Sequence, residues 1–393
     1  MEKVLPKRML LFGPGYGHNT EGVLNNCFSD YSLFEVVFLG FQYDESLKQK
    51  FPYIKHVPSK FEISKKHPWR SLKSIFWLYK QVRCTGHYDI IYSLGTGGLM
   101  GALIFWFARK NTKKAFEIWS MHIIDRAKSA KNIFAKMDRY VLKKSDFVCQ
   151  YWWGARERFL NAFPEYEHKF LLYQHFNSDI YFENVKHIPE STFVRNFLAK
   201  IPQNQIMCFW PRSFIPSNNH PLLIDSLGII KKRNPQILEN FKLYLWGGNV
   251  EREERVREIK DAINKNRLGN YVEIVEHPFV PQNDIFAIEE RSDFFVQIAN
   301  DDILSTFIME MICSGKPFVL SNLRTFQFLN KVYDLNIDLV NNDSLEIASR
   351  VETILSDLHI SRKAPDYSRR DKCKLLFSKS NVALPSQILY DAL

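Results

Sequence analysis

Short apolar runs separated by longer amphipathic stretches set the rhythm of this chain. In the first half the runs are RMLLFGP, FEVVFLGF, YDIIYSLG, KAFEIWSMH, SDFVCQYW and KFLLYQHF. A run that is apolar at nearly every position suits a strand buried on both faces. Strands alternating with helices predict parallel sheets covered by helices on both sides. Residues 184–204 break the rhythm: polar, strand-poor and carrying Pro189 and Pro202, they read as a linker. The pattern then restarts with QIMCFWP, FKLYLWGG, YVEIVEH, SDFFVQIA and KPFVLSN. The expected fold class is α/β, with two Rossmann-like domains over residues 1–185 and 203–375 facing a central cleft. Residues 376–393 are expected to form a closing helix that crosses back to the first domain. In parallel sheets ligands bind beyond the carboxyl ends of strands, so the turns there are where chemistry is to be sought.

One such stretch reads DDILSTFIMEMICSGKPFVLSN over residues 301–322. The absence of Gly and Pro over 305–313 predicts a helix with Ser305 or Thr306 as N-cap. At helical spacing Thr306, Glu310 and Ser314 share a small polar face, while Ile308, Met309, Met311 and Ile312 lie elsewhere. A carboxylate on such a face calls for hydroxyl donors. Asp302 and Glu310 would stand roughly 10 to 12 Å apart at about 1.5 Å per residue, one at each end of an extended ligand. The helix amides between them favour an anion. An ordinary amphipathic helix with a surface carboxylate would carry the same pattern.

Composition narrows the class. The 393 residues, 46% hydrophobic and 15% aromatic, supply two packed cores and exclude a disordered or fibrous chain. The six cysteines form no CxxC pair and no metal-like group with His, so a reducing, cytoplasmic setting is expected. No signal-peptide pattern opens the sequence, and the longest apolar run, residues 99–108, is too short to span a bilayer. The net charge of +10 is concentrated: residues 1–180 carry 27 Lys and Arg against 16 Asp and Glu, whereas the remainder carries 26 against 27. Within KKHPWRSLKSIFWLYKQVR, basic and aromatic residues interleave. This stretch suits an anionic membrane surface, with Trp69, Phe76 and Trp77 inserted and Lys65, Lys66, Arg70, Lys73, Lys80 and Arg83 facing headgroups. A phosphorylated acceptor, nucleic acid or a solvated helix with a buried aromatic face would use the same composition. Nucleic acid is the weakest of these, because no recognised binding module is present.

The ordered landmarks together resemble the GT-B-fold glycosyltransferases, specifically the large retaining group with an E-x7-E motif. Asp302, Glu310 and MICSGKPFVLSN stand where that group has its acid pair and an EAMACGKPVVAS-like run. CFWPRSF and LLIDSL match the strand ending in Arg and the helix beyond it, although the Lys-Gly expected between them falls on Asn218 and Asn219. EIWSMHIID matches a strand ending in His-Asp, KKSDFVCQYW and FNSDIYF match two topological landmarks, and LFGPGYGHNT matches a glycine-rich loop.

What the resemblance implies is a transferase that moves a sugar from a nucleotide-diphosphate donor to a glycan or lipid-linked acceptor, with no cofactor and no metal. His122, Arg212 and Asp302 would be catalytic: His122 and Asp302 at the donor sugar, Arg212 on the departing diphosphate, with Arg324 able to assist it. Glu310 would hold the ribose. Leu304, Ser305 and Thr306 would offer amides, Gly247 a close turn, and Phe279 and Val280 the backbone edge for the base. Gly15, Gly17 and His18 would form the phosphate or acceptor loop. A GT-B-fold epimerase or an inactive binding subunit would share the architecture.

Overall fold

The structure, a computed structural model, describes residues 6–13, 24, 32–40, 51–58, 60, 68–84, 86–95, 97–118, 121–150, 153–172, 176–185, 188–247, 253–275, 280, 282–302, 304–361, 365–378 and 385–393. The chain divides into two compact units, Met1–His175 with Ala383–Leu393, and Phe176–Val382.

The first unit is built on a seven-stranded sheet in the order β3-β2-β1-β4-β5-β6-β7. Its strands are β1 (Lys7–Gly13), β2 (Phe34–Gly40), β3 (Lys55–Pro58), β4 (Ile90–Leu94), β5 (Lys113–Glu117), β6 (Phe147–Gln150) and β7 (Phe170–Leu172). Every pairing is parallel; Leu10, for instance, lies opposite Val37 on one side and Ile91 on the other. All five residues of β4 are buried, as its unbroken apolar run requires. The C-terminal helix Pro385–Asp391 packs in this unit. Leu389 joins the core with Phe34 and Phe38, Tyr390 meets the Phe34 ring edge-on at 5.8 Å, and the Lys7 ammonium lies 4.5 Å from the Tyr390 ring centre.

The second unit carries a six-stranded parallel sheet in the order β10-β9-β8-β11-β12-β13. Its strands are β8 (Ile206–Trp210), β9 (Phe241–Trp246), β10 (Val272–Val275), β11 (Phe294–Gln297), β12 (Phe318–Ser321) and β13 (Leu339–Val340). Helices His220–Arg233 and Ser344–Ile360 close one face, burying Leu223, Ile224, Leu227, Val351 and Leu355 against Cys208, Leu243 and Val296.

Each apolar run of the sequence coincides with a strand. The short strands β3 and β13 are additions, since neither KHVP nor LV is long or apolar enough to stand out. The stretch read as a linker contains the helix Thr192–Ala199. Ser191 caps it through Val194 N, and Phe197 packs edge-on against Tyr244 and Trp246 at 5.1 and 5.4 Å.

Candidate functional site

The carboxyl ends of β8 and β11, adjacent strands in the second unit, carry the charged centre. After Trp210 the chain turns through Arg212 and doubles back. Asn218 then forms an antiparallel bridge with Ala299, Asn219 N donates to the Ile298 carbonyl at 2.9 Å, and Asn300 N donates to Ser217 O at 2.8 Å. This short zipper brings together residues 90 positions apart: Arg212 Nη2 donates to Asp302 Oδ1 at 2.7 Å. The Asp302 side chain is 3% exposed and that of Arg212 20%, so the acid is interior and the cation reaches the surface. Gln297 Nε2 bonds the other Asp302 oxygen. The Gln297 carbonyl in turn accepts from Trp210 Nε1 at 2.8 Å, and Thr325 Oγ1 donates to the Asp302 main-chain carbonyl at 2.9 Å. Both carboxylate oxygens of Asp302 therefore have protein partners.

Asn218, at the register where the resemblance calls for Lys, is buried. Its side-chain amide nitrogen donates to Ser213 O at 2.9 Å, and its main-chain carbonyl lies 2.8 Å from His220 Nδ1. A carbonyl only accepts, so Nδ1 carries the proton. His220 stacks on Trp210 at 4.1 Å and meets Phe214 edge-on at 5.1 Å. Burial lowers its pKa to about 3 against the partial opposition of the Asn218 carbonyl, with the Arg212 charge acting in the same direction as burial; the ring is neutral near pH 7.

The helix Thr306–Cys313 begins four residues after Asp302. Its N-cap, Ser305, makes no capping hydrogen bond, the first turn holds no acid, and Ser305 Oγ is buried without a partner among the described residues. Among the described residues, neither the cap nor the first turn sets a side-chain charge against the positive end of the helix. Leu304, just before it, is buried. Glu310 lies in the second turn, 3% exposed, next to the buried Glu289 of helix Gln282–Arg291. No donor among the described residues reaches either Glu289 oxygen. Burial, and then the Glu310 charge and a hydrogen bond between the two carboxyls, hold the Glu289 pKa well above its ordinary value of 4.5. These effects favour the protonated form of Glu289.

Gly247 directly follows the carboxyl end of β9, and Val280, buried, comes five residues after β10 in sequence. Gly247 has a packing reason for its identity, since a Cβ there would run into the ring of Phe214. His122 is the second residue of the helix Met121–Ser129 and comes after β5 has ended at Glu117, so it occupies a helix start and not the strand end that the sequence suggested. Arg324 is exposed at the start of helix Arg324–Tyr333, after β12. Gly15, Gly17, His18 and Phe279 lie outside the described residues. Among the described residues no group of three or more His, Cys, Asp or Glu is placed to hold a metal ion.

Arg212 and Asp302 thus meet at adjacent strand ends, Asp302 four residues ahead of the helix, while Glu310 lies beside Glu289. Sequence reading missed Gln297, Asn218 as a structural amide, and Glu289. A glutamine closing the apolar run FFVQIA was the one signal for the first. Nothing local marked Glu289, which matters only because another helix brings Glu310 beside it.

No protein-family profile matches the chain, and no curated protein matches it by sequence. Solved structures do match along almost its full length. A glycosyltransferase from Rickettsia africae is similar at 15% identity over 98% of this chain and 97% of that one, with a TM-score of 0.68. Sucrose-phosphate synthase from Thermosynechococcus elongatus gives 16% identity, 98% of each chain and a TM-score of 0.69. Anabaena HepE in complex with UDP-glucose gives 14%, 98% of each chain and 0.67. The chain shares the fold of these proteins, the GT-B arrangement of two parallel-sheet α/β domains.

Proposed function

We propose that this protein is a glycosyltransferase that moves a sugar from a nucleotide-diphosphate donor to a glycan or lipid-linked acceptor, with retention of anomeric configuration, in the assembly of a surface polysaccharide or glycoconjugate. The observation that carries this reading is the Arg212 guanidinium, anchored by Asp302 on the segment leading into the uncapped helix Thr306–Cys313, in a chain that shares its fold with HepE bound to UDP-glucose.

In this reading the diphosphate lies against Arg212 and the amides of residues 304–306. A fixed cation and fixed dipoles there oppose the negative charge that builds up as the sugar–phosphate bond breaks, and they need no reorganisation in the transition state. The departing diphosphate takes the acceptor proton, so neither a side-chain base nor a metal ion is required. Asp302 holds Arg212 in place. Glu310 binds the ribose, Phe279 and Val280 border the base, Gly247 lies at the donor turn, His122 faces the sugar, and Gly15, Gly17 and His18 serve the acceptor loop.

A second reading, a subunit that binds a nucleotide sugar without turning it over, is favoured by the pairing of Arg212 with Asp302 and by Asn218 in the Lys register. Incubation with a panel of nucleotide sugars, with and without glycan and lipid-linked acceptors, separates the two by nucleotide release. Acceptor-dependent release is expected; binding without release supports the subunit, a changed sugar without acceptor supports an epimerase, and no nucleotide binding removes the donor site altogether. By calorimetry Glu310→Ala should weaken nucleotide binding by about 1 to 3 kcal/mol. Arg212→Ala should lower turnover more than affinity, and equal losses would argue against a transition-state role.

A further inference from the structure

We propose that the exposed face formed by helices Pro68–Tyr79 and Gly98–Phe107 docks the protein on an anionic lipid surface. Trp69, Leu72, Phe76 and Tyr79 recur at intervals of three and four residues, so they form one stripe, about 15 Å long at about 1.5 Å per residue. Trp69 is 76% exposed and Phe76 69%. Trp77, which the sequence suggested would insert, is instead half-buried off the stripe, and Lys65 and Lys66 lie outside the described residues.

The stripe continues onto the second helix. Phe76 stacks on Tyr79 at 6.5 Å, Tyr79 meets Phe107 edge-on at 5.3 Å, and Phe107 stacks on Trp106, itself 68% exposed. The ends of the two helical segments are tied by Arg83 Nη1 donating to Ala108 O at 3.3 Å and Arg109 Nη2 donating to Arg83 O at 3.1 Å. Both helices already have an inward face, Ser74 and Leu78 on one and Met100, Ile104 and Phe105 on the other. The outward aromatics are therefore surplus to the core.

Charge selects the occupant. Arg70, Lys73, Lys80, Arg83 and Lys110 are exposed on these segments, and Asp89 is the only acidic residue between positions 68 and 114. Aromatics that seat at the headgroup level, flanked by cations that meet anionic headgroups, describe a bilayer surface. A second copy of this chain would set one basic face against another, and single-stranded nucleic acid would leave Leu72 uncovered. No helix among the described residues is long and apolar enough to cross a membrane, so the contact is with the surface.

The test is co-sedimentation of the full chain with vesicles of phosphatidylcholine, alone or mixed with phosphatidylglycerol. Binding is expected to the mixed vesicles and to fall with added salt. Each of Arg70→Gln, Lys73→Gln and Lys80→Gln should weaken it about fivefold, the equivalent of about 1 kcal/mol per charge. The triple variant Trp69→Ser, Phe76→Ser, Trp106→Ser should lose binding while its circular dichroism matches the wild type. Independently of that variant's folding, brominated acyl chains should quench the tryptophan fluorescence of the wild type and quench Trp69→Phe/Trp106→Phe much less. Equal binding to neutral and mixed vesicles, equal binding by the variants, absence of quenching, or retention on an oligonucleotide with no vesicle binding would each overturn the proposal.

Discussion

Arg212 and Asp302 show how a buried acid can serve a surface cation. Asp302→Ala would leave the guanidinium without its counter-charge, beside an Arg212 Nε that is already buried with no partner among the described residues, and would take an acceptor from Gln297. Because Arg212 reaches the surface, the loss is that of a charged hydrogen bond, about 1.5 to 3 kcal/mol, which urea unfolding should read as a lower midpoint. Glu289 and Glu310 make the opposite case, two buried acids side by side, with no donor among the described residues on either Glu289 oxygen. Above the ordinary carboxylate value of 4.5 the unfolded chain gives up the Glu289 proton, whereas the folded chain keeps it. The native state then binds more protons, so this group's contribution to stability falls as pH rises toward the raised native pKa. Glu289→Gln supplies a permanent donor. Thermal melts should show it stabilising by about 1 to 3 kcal/mol near neutral pH and show the gain shrinking below pH 4.5.

At the scale of elements, strands were legible and their neighbours less so. A strand buried on both faces must be apolar throughout, which is why β4 and β8 stand out in the bare sequence. Edge strands meet only one partner and carry less of this demand: β7 and β10 still show apolar runs, whereas KHVP of β3 and the two-residue β13 do not. The helix Thr306–Cys313 was readable from its lack of Gly and Pro, and the structure begins it one residue after Ser305, as its capping pattern implied. Helix Thr192–Ala199 was not readable as a packed element, because its aromatic partners Tyr244 and Trp246 come from β9. Gly247 is explained in the same way, by a ring from another segment. Gly247→Ala should force Phe214 to move and, as overpacking does, cost about 1 to 3 kcal/mol; an unchanged melting temperature would show that Phe214 repacks freely.

On the scale of the whole molecule, the chain returns to its beginning. Helix Pro385–Asp391 closes the core of the unit that starts with β1, and deleting residues 383–393 removes Leu389 from that core and Tyr390 from Phe34 and Lys7. Loss of a buried leucine side chain such as Leu389 costs about 2 to 5 kcal/mol. Hydrogen exchange should therefore show faster opening of β1 and β2 in the deletion, with the second unit's strands unchanged. The two-sheet architecture and the position of candidate chemistry at strand ends followed from composition and periodicity alone, because burial on both faces of a parallel strand writes itself into consecutive residues. The pairing of Arg212 with Asp302, the placing of Glu310 beside Glu289, and the joining of Trp106 to the outward stripe of Trp69 and Phe76 came from folding. Each depends on which distant segment lies alongside, and spacing along a chain carries no record of that.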